Sequence, residues 1–165
     1  MMSGTMKITR ILFATDLSPV ADHAFKYAAN FANALGVEVT VLHVLEKLRP
    51  NAELMLSALL NYDDPEALRA ATQSNLMERV KDHISGLCRD AACSMPGCGF
   101  DAGRVIIEPG DPVHIILSHL DSGKFDLLIM GTMGYGVVEE FFIGSTAHKV
   151  LRKTRVPVLV VPERG

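Results

Sequence analysis

Three observations predict an α/β fold built on a parallel sheet. Short apolar runs alternate with segments of helical periodicity along the chain. The runs are almost continuously apolar, without the in–out alternation of a half-exposed sheet, as befits strands covered on both faces. Three helical segments open on a capping residue followed by proline, at Ser18-Pro19, Asp64-Pro65 and Asp111-Pro112. Strict β-α alternation implies right-handed crossovers that lay helices on both sides of one sheet.

The first strand is predicted over Ile8 to Ala14. After it, Ser18 caps a helix whose Ala21, Ala24, Phe25, Ala28, Ala32 and Leu35 fall at helical spacing, and Gly36 stops it. Val37 to Leu45 is β-branched and predicts strand two. The stretch Glu46 to Asp63 is long for a connection, and its LMLSALL segment predicts a short surface or interface helix. A long helix follows Pro65, with Leu76, Val80, Ile84, Leu87 and Ala91 on one face. Ser94 to Gly103 reads as a loop, and Arg104 to Ile107 as a short third strand. A helix after Pro112 carries Val113, Ile116, Leu117 and Leu120. Phe125 to Met130 is strand four, and a last helix opens near Ser145 with Ala147, Val150 and Leu151 on its apolar side. Lys149, Arg152 and Lys153 stand toward its C-terminal end, where the helix dipole favours cations. Val156 to Val161 is strand five. Pro157 cannot donate to a ladder, so this strand is predicted at a sheet edge, and an apolar edge invites pairing with a second copy.

Size and charge narrow the function classes. The 165 residues fit one domain, 1–165, with one substantial core. A formal net charge of −3 gives no electrostatic reason to expect a nucleic acid or an anionic membrane as partner. No apolar run approaches the roughly 20 residues of a membrane span. The N-terminal MMSGTMKITR lacks a signal-peptide pattern, so a cytoplasmic protein is expected. Cys88, Cys93 and Cys98 are odd in number and spaced C-x4-C-x4-C, wider than the usual zinc pair. They read as unpaired thiols, with a thiol-based redox or metal-responsive module as a competing hypothesis.

Ligands of open parallel sheets sit beyond the carboxyl ends of the strands, where strand order reverses. The residues there are Ala14-Thr15-Asp16 after strand one, His43-Val44 in strand two, and Met130-Gly131-Thr132-Met133-Gly134 after strand four. Gly144-Ser145-Thr146 then leads into the last helix. This last segment has the form G-x2-G-x9-G-S. Gly131 and Gly134 permit positive φ and close backbone approach. Gly144-Ser145 offers free N–H groups and a hydroxyl at a helix N-terminus, where anions bind. The same glycines could instead serve only a tight βα turn. Asp16 could orient a ribose or a metal-bound water, or could cap the first helix. His43 is expected to be a satisfied core histidine. His114 and His148 lie early in helices near the same end, without an identifiable catalytic partner. Neither a P-loop G-x4-G-K-[ST] nor a G-x-G-x-x-G after strand one is present.

TDLS after strand one, VLHV in strand two, EPGDP before the third helix, the glycine pattern and the closing VPVLVV together resemble the universal stress proteins, in their ATP-binding branch. The resemblance implies a three-layer, open five-stranded parallel sheet of order 3-2-1-4-5, Rossmann-like and adenine nucleotide alpha hydrolase-like. It also implies a homodimer through Val156–Val161, and ATP, or AMP or ADP, between the ends of strands one and four. By position, Ala14, Thr15 and Asp16 would line the adenosine and Val44 the adenine. Met130 and Gly131 would approach ribose and phosphates, and Gly134, Gly144, Ser145 and Thr146 would hold the phosphates. The loop YGVVEEFFI departs from the family in carrying Glu139 and Glu140 and no basic residue, which raises the expected need for Mg²⁺ or Mn²⁺. The expected function is a nucleotide-dependent regulatory, stress-response dimer, with a slow metal-dependent ATPase as the alternative.

Overall fold

The computed structural model describes residues 7–46, 65–94, 104–132 and 143–163. The predicted helix within 46–63, residues 95–103 of the predicted loop, Gly134, Cys98, Glu139 and Glu140 lie outside these residues, and Ser94, expected in that loop, is helical.

Among the described residues five strands and four helices alternate: β1 (Arg10–Thr15), α1 (Pro19–Leu35), β2 (Glu38–Leu45), α2 (Pro65–Ser94), β3 (Val105–Pro109), α3 (Pro112–Asp121), β4 (Leu127–Gly131), α4 (Ser145–Lys153) and β5 (Val158–Val161). The strands form one parallel sheet of order β3-β2-β1-β4-β5. The expected strand order and the edge position of the proline-bearing strand are both found. Pro157 still contributes to the ladder as an acceptor, its carbonyl taking the Leu128 N–H at 2.9 Å.

Local chemistry sets the helix ends as expected. The Ser18 hydroxyl accepts from Ala21 N–H at 3.2 Å with Pro19 in the first turn, and Gly36 closes α1 in the left-handed region. The Asp111 carboxylate accepts from His114 N–H at 2.8 Å and caps α3.

The alternating side chains of the sheet build two cores. Ile11, Phe13, Val41 and Ile129 pack with Phe25 and Ala28 of α1 and Ile84 of α2 on one face. Leu12, Leu42, Leu128 and Met130 pack with Ile116 and Leu120 of α3 and Ala147 and Val150 of α4 on the other. This explains why the central strands read as unbroken apolar runs: both side-chain sets are buried. Phe13 and Phe25 meet edge to face with ring centroids 5.4 Å apart. Burial of each ring contributes about 1.5–3 kcal/mol.

Several expectations shift. Strand one starts at Arg10, strand three runs on to Pro109, strand four begins at Leu127 and strand five at Val158. At β1 and β4 long-range bonds hold the entries together: Asp126 Oδ2 accepts from Thr9 N, Thr9 Oγ1 and Arg10 N at 2.9, 2.7 and 3.0 Å. Leu76 is expected on the buried face of α2 but is 42% exposed; among the described residues α2 reaches the core through Val80, Ile84, Leu87, Cys88 and Ala91.

Candidate functional site

The carboxyl ends of β1, β2 and β4 and the N-termini of α3 and α4 surround a cavity of about 580 Å³. Cavities of that size take a ligand as large as a nucleotide. Ala14, Thr15 and Asp16 enter it from β1, Val44 from β2, Met130 and Gly131 from β4, and Gly144, Ser145 and Thr146 from the start of α4. All the expected site residues except Gly134, which lies outside the described residues, therefore converge on one space. They come from four separate segments because the crossover connections return every strand's carboxyl end to the same edge of the sheet.

The walls differ in character. Leu42, Val44, Ile116 and Met130 make an apolar face continuous with the α3/α4 core. The start of α4 contributes a polar part of the lining. Its N-cap is Gly144, which makes no side-chain capping bond, whereas Ser18 and Asp111 cap the helices they precede. The Gly144 N–H is taken by the Thr132 carbonyl at 2.6 Å, and the His148 N–H by the Gly144 carbonyl at 2.9 Å. That leaves the N–H groups of Ser145, Thr146 and Ala147 without a protein acceptor among the described residues, and all three residues line the cavity. They form a donor set with the positive end of a helix dipole behind it, suited to phosphate or carboxylate oxygens.

Asp16 and Glu46 bring carboxylates to the lining, and among the described residues no Lys or Arg does. One Asp16 oxygen is already engaged, accepting from Ser18 N–H at 3.0 Å. Asp16 thus shapes the turn and also stands at the cavity, while the cap of α1 is Ser18. Among the described residues no group of three His, Cys, Asp or Glu gathers into a metal cage. A divalent ion here would need ligand oxygens as well as protein ones.

Gly131 corrects one expectation. It does not adopt positive φ. Its missing side chain serves packing: a Cβ there would stand 3.1 Å from Val20 Cγ1 and 3.5 Å from Ala21 N. The glycine lets the end of β4 approach the start of α1. The unusual backbone is at Leu17, which holds φ 63° without being glycine. That region costs a residue with a Cβ about 1–2 kcal/mol. Leu17 N–H donates to Thr15 Oγ1 at 3.0 Å, and its side chain packs against the α1/α2 core.

Sequence reasoning missed Ile116 and Pro112 of α3 and Glu46 as lining residues. The EPGDP segment and the position directly after strand two were the available signals. His43 is buried and hydrogen-bonded, as expected, and it also belongs to the cavity lining. His114 and His148 are exposed and do not line the cavity. Cys88 is 5% exposed within the α1/α2 core, a poor place for a redox sensor. Cys93 belongs to α2. Among the described residues no helix is long and apolar enough to cross a membrane.

Comparison with known proteins agrees with this architecture. The model of the Universal stress protein family matches residues 7–162. Universal stress protein YxiE of Bacillus subtilis is 36% identical over 156 residues, spanning 92% of this chain and 97% of that protein. Universal stress protein MJ0577 of Methanocaldococcus jannaschii is 26% identical over 160 residues, 94% of this chain and 96% of that one. The solved structure of MJ0577 superposes with a TM-score of 0.71, covering 96% of this chain and 98% of its own. A universal stress protein solved in complex with cAMP, 18% identical, shares the fold at a TM-score of 0.53 over 93% of this chain and 96% of its own.

Proposed function

The chain belongs to the universal stress protein family, and we propose that within it this protein is a cytoplasmic, ATP-binding regulatory dimer that holds its nucleotide rather than turning it over. The observation that carries this reading is that an uncapped α4 N-terminus and an apolar surface line one cavity of about 580 Å³. A purine suits the Leu42, Val44, Ile116 and Met130 side, and phosphates suit the Ser145–Ala147 amides. AMP and ADP share those contacts and are the competing ligands. Mg²⁺ or Mn²⁺ would accompany the triphosphate and offset its charge beside Asp16 and Glu46. Holding is favoured over phosphoryl transfer because no Lys or Arg among the described lining residues is placed to neutralise charge at a transferring group. The dimer would form through the β5 edge, within Val156–Val161.

The test is calorimetric titration of Mg²⁺-ATP into nucleotide-free protein, repeated with AMP, ADP and the Ser145→Asp variant. Ser145 is exposed in the first turn of α4, so an acidic residue there suits the helix dipole and leaves the melting temperature level or slightly raised. The same carboxylate would repel phosphates, weakening ATP by about tenfold or more, ~1.4 kcal/mol. Undiminished ATP binding in that variant would remove α4 from the phosphate site.

A further inference from the structure

Thr15 is the point where the cavity meets the buried core, and it is held from the neighbouring strand. His43 stands opposite Thr15 in the β1–β2 register, and its Nδ1 lies 2.8 Å from the Thr15 carbonyl oxygen. A carbonyl oxygen only accepts, so Nδ1 carries the proton and donates. The ring is 8% exposed, and at such a position a hydrogen bond is electrostatically stronger than in water.

The segment receiving this bond is unusual. Immediately after Thr15 come Asp16, at the cavity, and Leu17, in the left-handed region at φ 63°. Backbone held in a sparsely populated region persists only where its surroundings over-determine it. Three bonds inside the turn contribute: Leu17 N–H to Thr15 Oγ1, Ser18 N–H to Asp16 Oδ1, and Ala21 N–H to the Ser18 hydroxyl. These are internal to residues 15–21 and travel with the turn. The His43 bond differs in kind, because it ties the turn to β2.

We propose that His43 is a positioning residue of the site, whose Nδ1–H fixes the Thr15 carbonyl and thereby sets where Asp16 stands at the cavity rim. A histidine that merely filled core volume would tolerate any side chain of similar size. A histidine acting through Nδ1 requires a donor at that position. The effect on affinity rests on the nucleotide reading above, whereas the effect on the turn does not.

The test compares His43→Asn, His43→Gln and His43→Leu with the unsubstituted protein. Asparagine carries an N–H the same number of bonds from Cβ as Nδ1, glutamine carries it one bond further out, and leucine carries none. Two readouts are taken. One is Mg²⁺-ATP titration; the other is the amide NMR spectrum of residues 15–18 in ligand-free protein. The expected result is ATP binding about tenfold weaker in the Leu and Gln variants, the weight of one buried hydrogen bond, with Asn restoring it to within about threefold. The amide signals should shift in the Leu and Gln variants and return toward their original positions with Asn. Should the Leu variant fail to fold, the Asn–Gln contrast decides alone. Equal behaviour of Asn and Gln, or unchanged binding and amide signals in Leu, overturns the proposal. If the unsubstituted protein binds no ATP, the nucleotide reading falls, and the NMR arm still decides whether His43 holds the turn.

Discussion

Replacing Gly131 with alanine adds one methyl group where β4 meets α1, and the structure supplies the terms of its cost. The new Cβ would lie 3.1 Å from Val20 Cγ1, tighter than ordinary van der Waals contact, and 3.5 Å from the Ala21 nitrogen and the Val20 carbonyl carbon. Val20 is 6% exposed and β-branched, so its χ1 is stiff and it yields only by moving the first turn of α1. Overpacking of this kind costs about 1–3 kcal/mol. Against it stands the smaller entropy of an unfolded chain with one glycine fewer, worth about 0.4–1 kcal/mol where φ is compatible, as it is here. The net is a destabilisation of about 0.5–2 kcal/mol, which for a chain of this size lowers the melting temperature by about 1–8 °C. The assay is thermal or denaturant unfolding of Gly131→Ala, Val20→Ala and the double variant. Val20→Ala alone costs stability by opening a void. Combined with Gly131→Ala it makes room for the new methyl, so the double variant should be more stable than the sum of the single losses by about 1 kcal/mol. Strict additivity, or a Gly131→Ala protein as stable as the original, would refute the packing account and return Gly131 to a purely ligand-facing role.

Two further outcomes follow from the geometry. Hydrogen bonds from the Thr9 hydroxyl and the Thr9 and Arg10 amides, with Arg10 nearby, hold the Asp126 carboxyl below its ordinary 3.8. That stability is present above 3.8 and is lost as pH falls through the lower folded value. The stability gap between the protein and Asp126→Asn should therefore be widest near neutral pH and shrink in acid, and a gap constant across that range in unfolding titrations would count against the bonds. At β5, the carbonyls of Pro157 and Val161 accept from Leu128 in β4 and from Thr132 just beyond it. By the alternation of a parallel ladder, Val158 and Val160 turn their backbone groups outward. Val160→Pro should leave the sheet folded and abolish the proposed edge-to-edge dimer in sedimentation analysis, and a dimer that survives it would place the contact elsewhere.

The order of elements, the caps and the gathering of the site at one end of the sheet were legible in the residues. Each is written locally: Ser18 and Asp111 bond to amides three residues ahead, Gly36 takes the left-handed conformation that ends α1, and unbroken apolar runs and the 3.6-residue period lie within single segments. The glycine spacing after β4 pointed correctly to the α4 N-terminus lining the cavity, because N-terminal amides are orphaned in any helix whose cap lacks a side-chain acceptor.

Contacts between residues far apart in the chain decided the rest. Leu76 reads as core from its spacing and is exposed, since only packing against α1 and the sheet settles which turns of a long helix are covered. Gly131 lines the cavity as expected, but its close approach to Val20, more than a hundred residues away in sequence, is invisible to local reading. The starts of β1 and β4 depend on Asp126 reaching back to Thr9 and Arg10. The bond from His43 to Thr15 exists only because β1 and β2 pair in one register. Sequence by itself thus determined the kinds of element and the edge of the sheet where chemistry could gather. Tertiary structure alone decided which side chains face the cavity and which hold it open, since those depend on register and on the distance between helices, to which no single segment's residues commit.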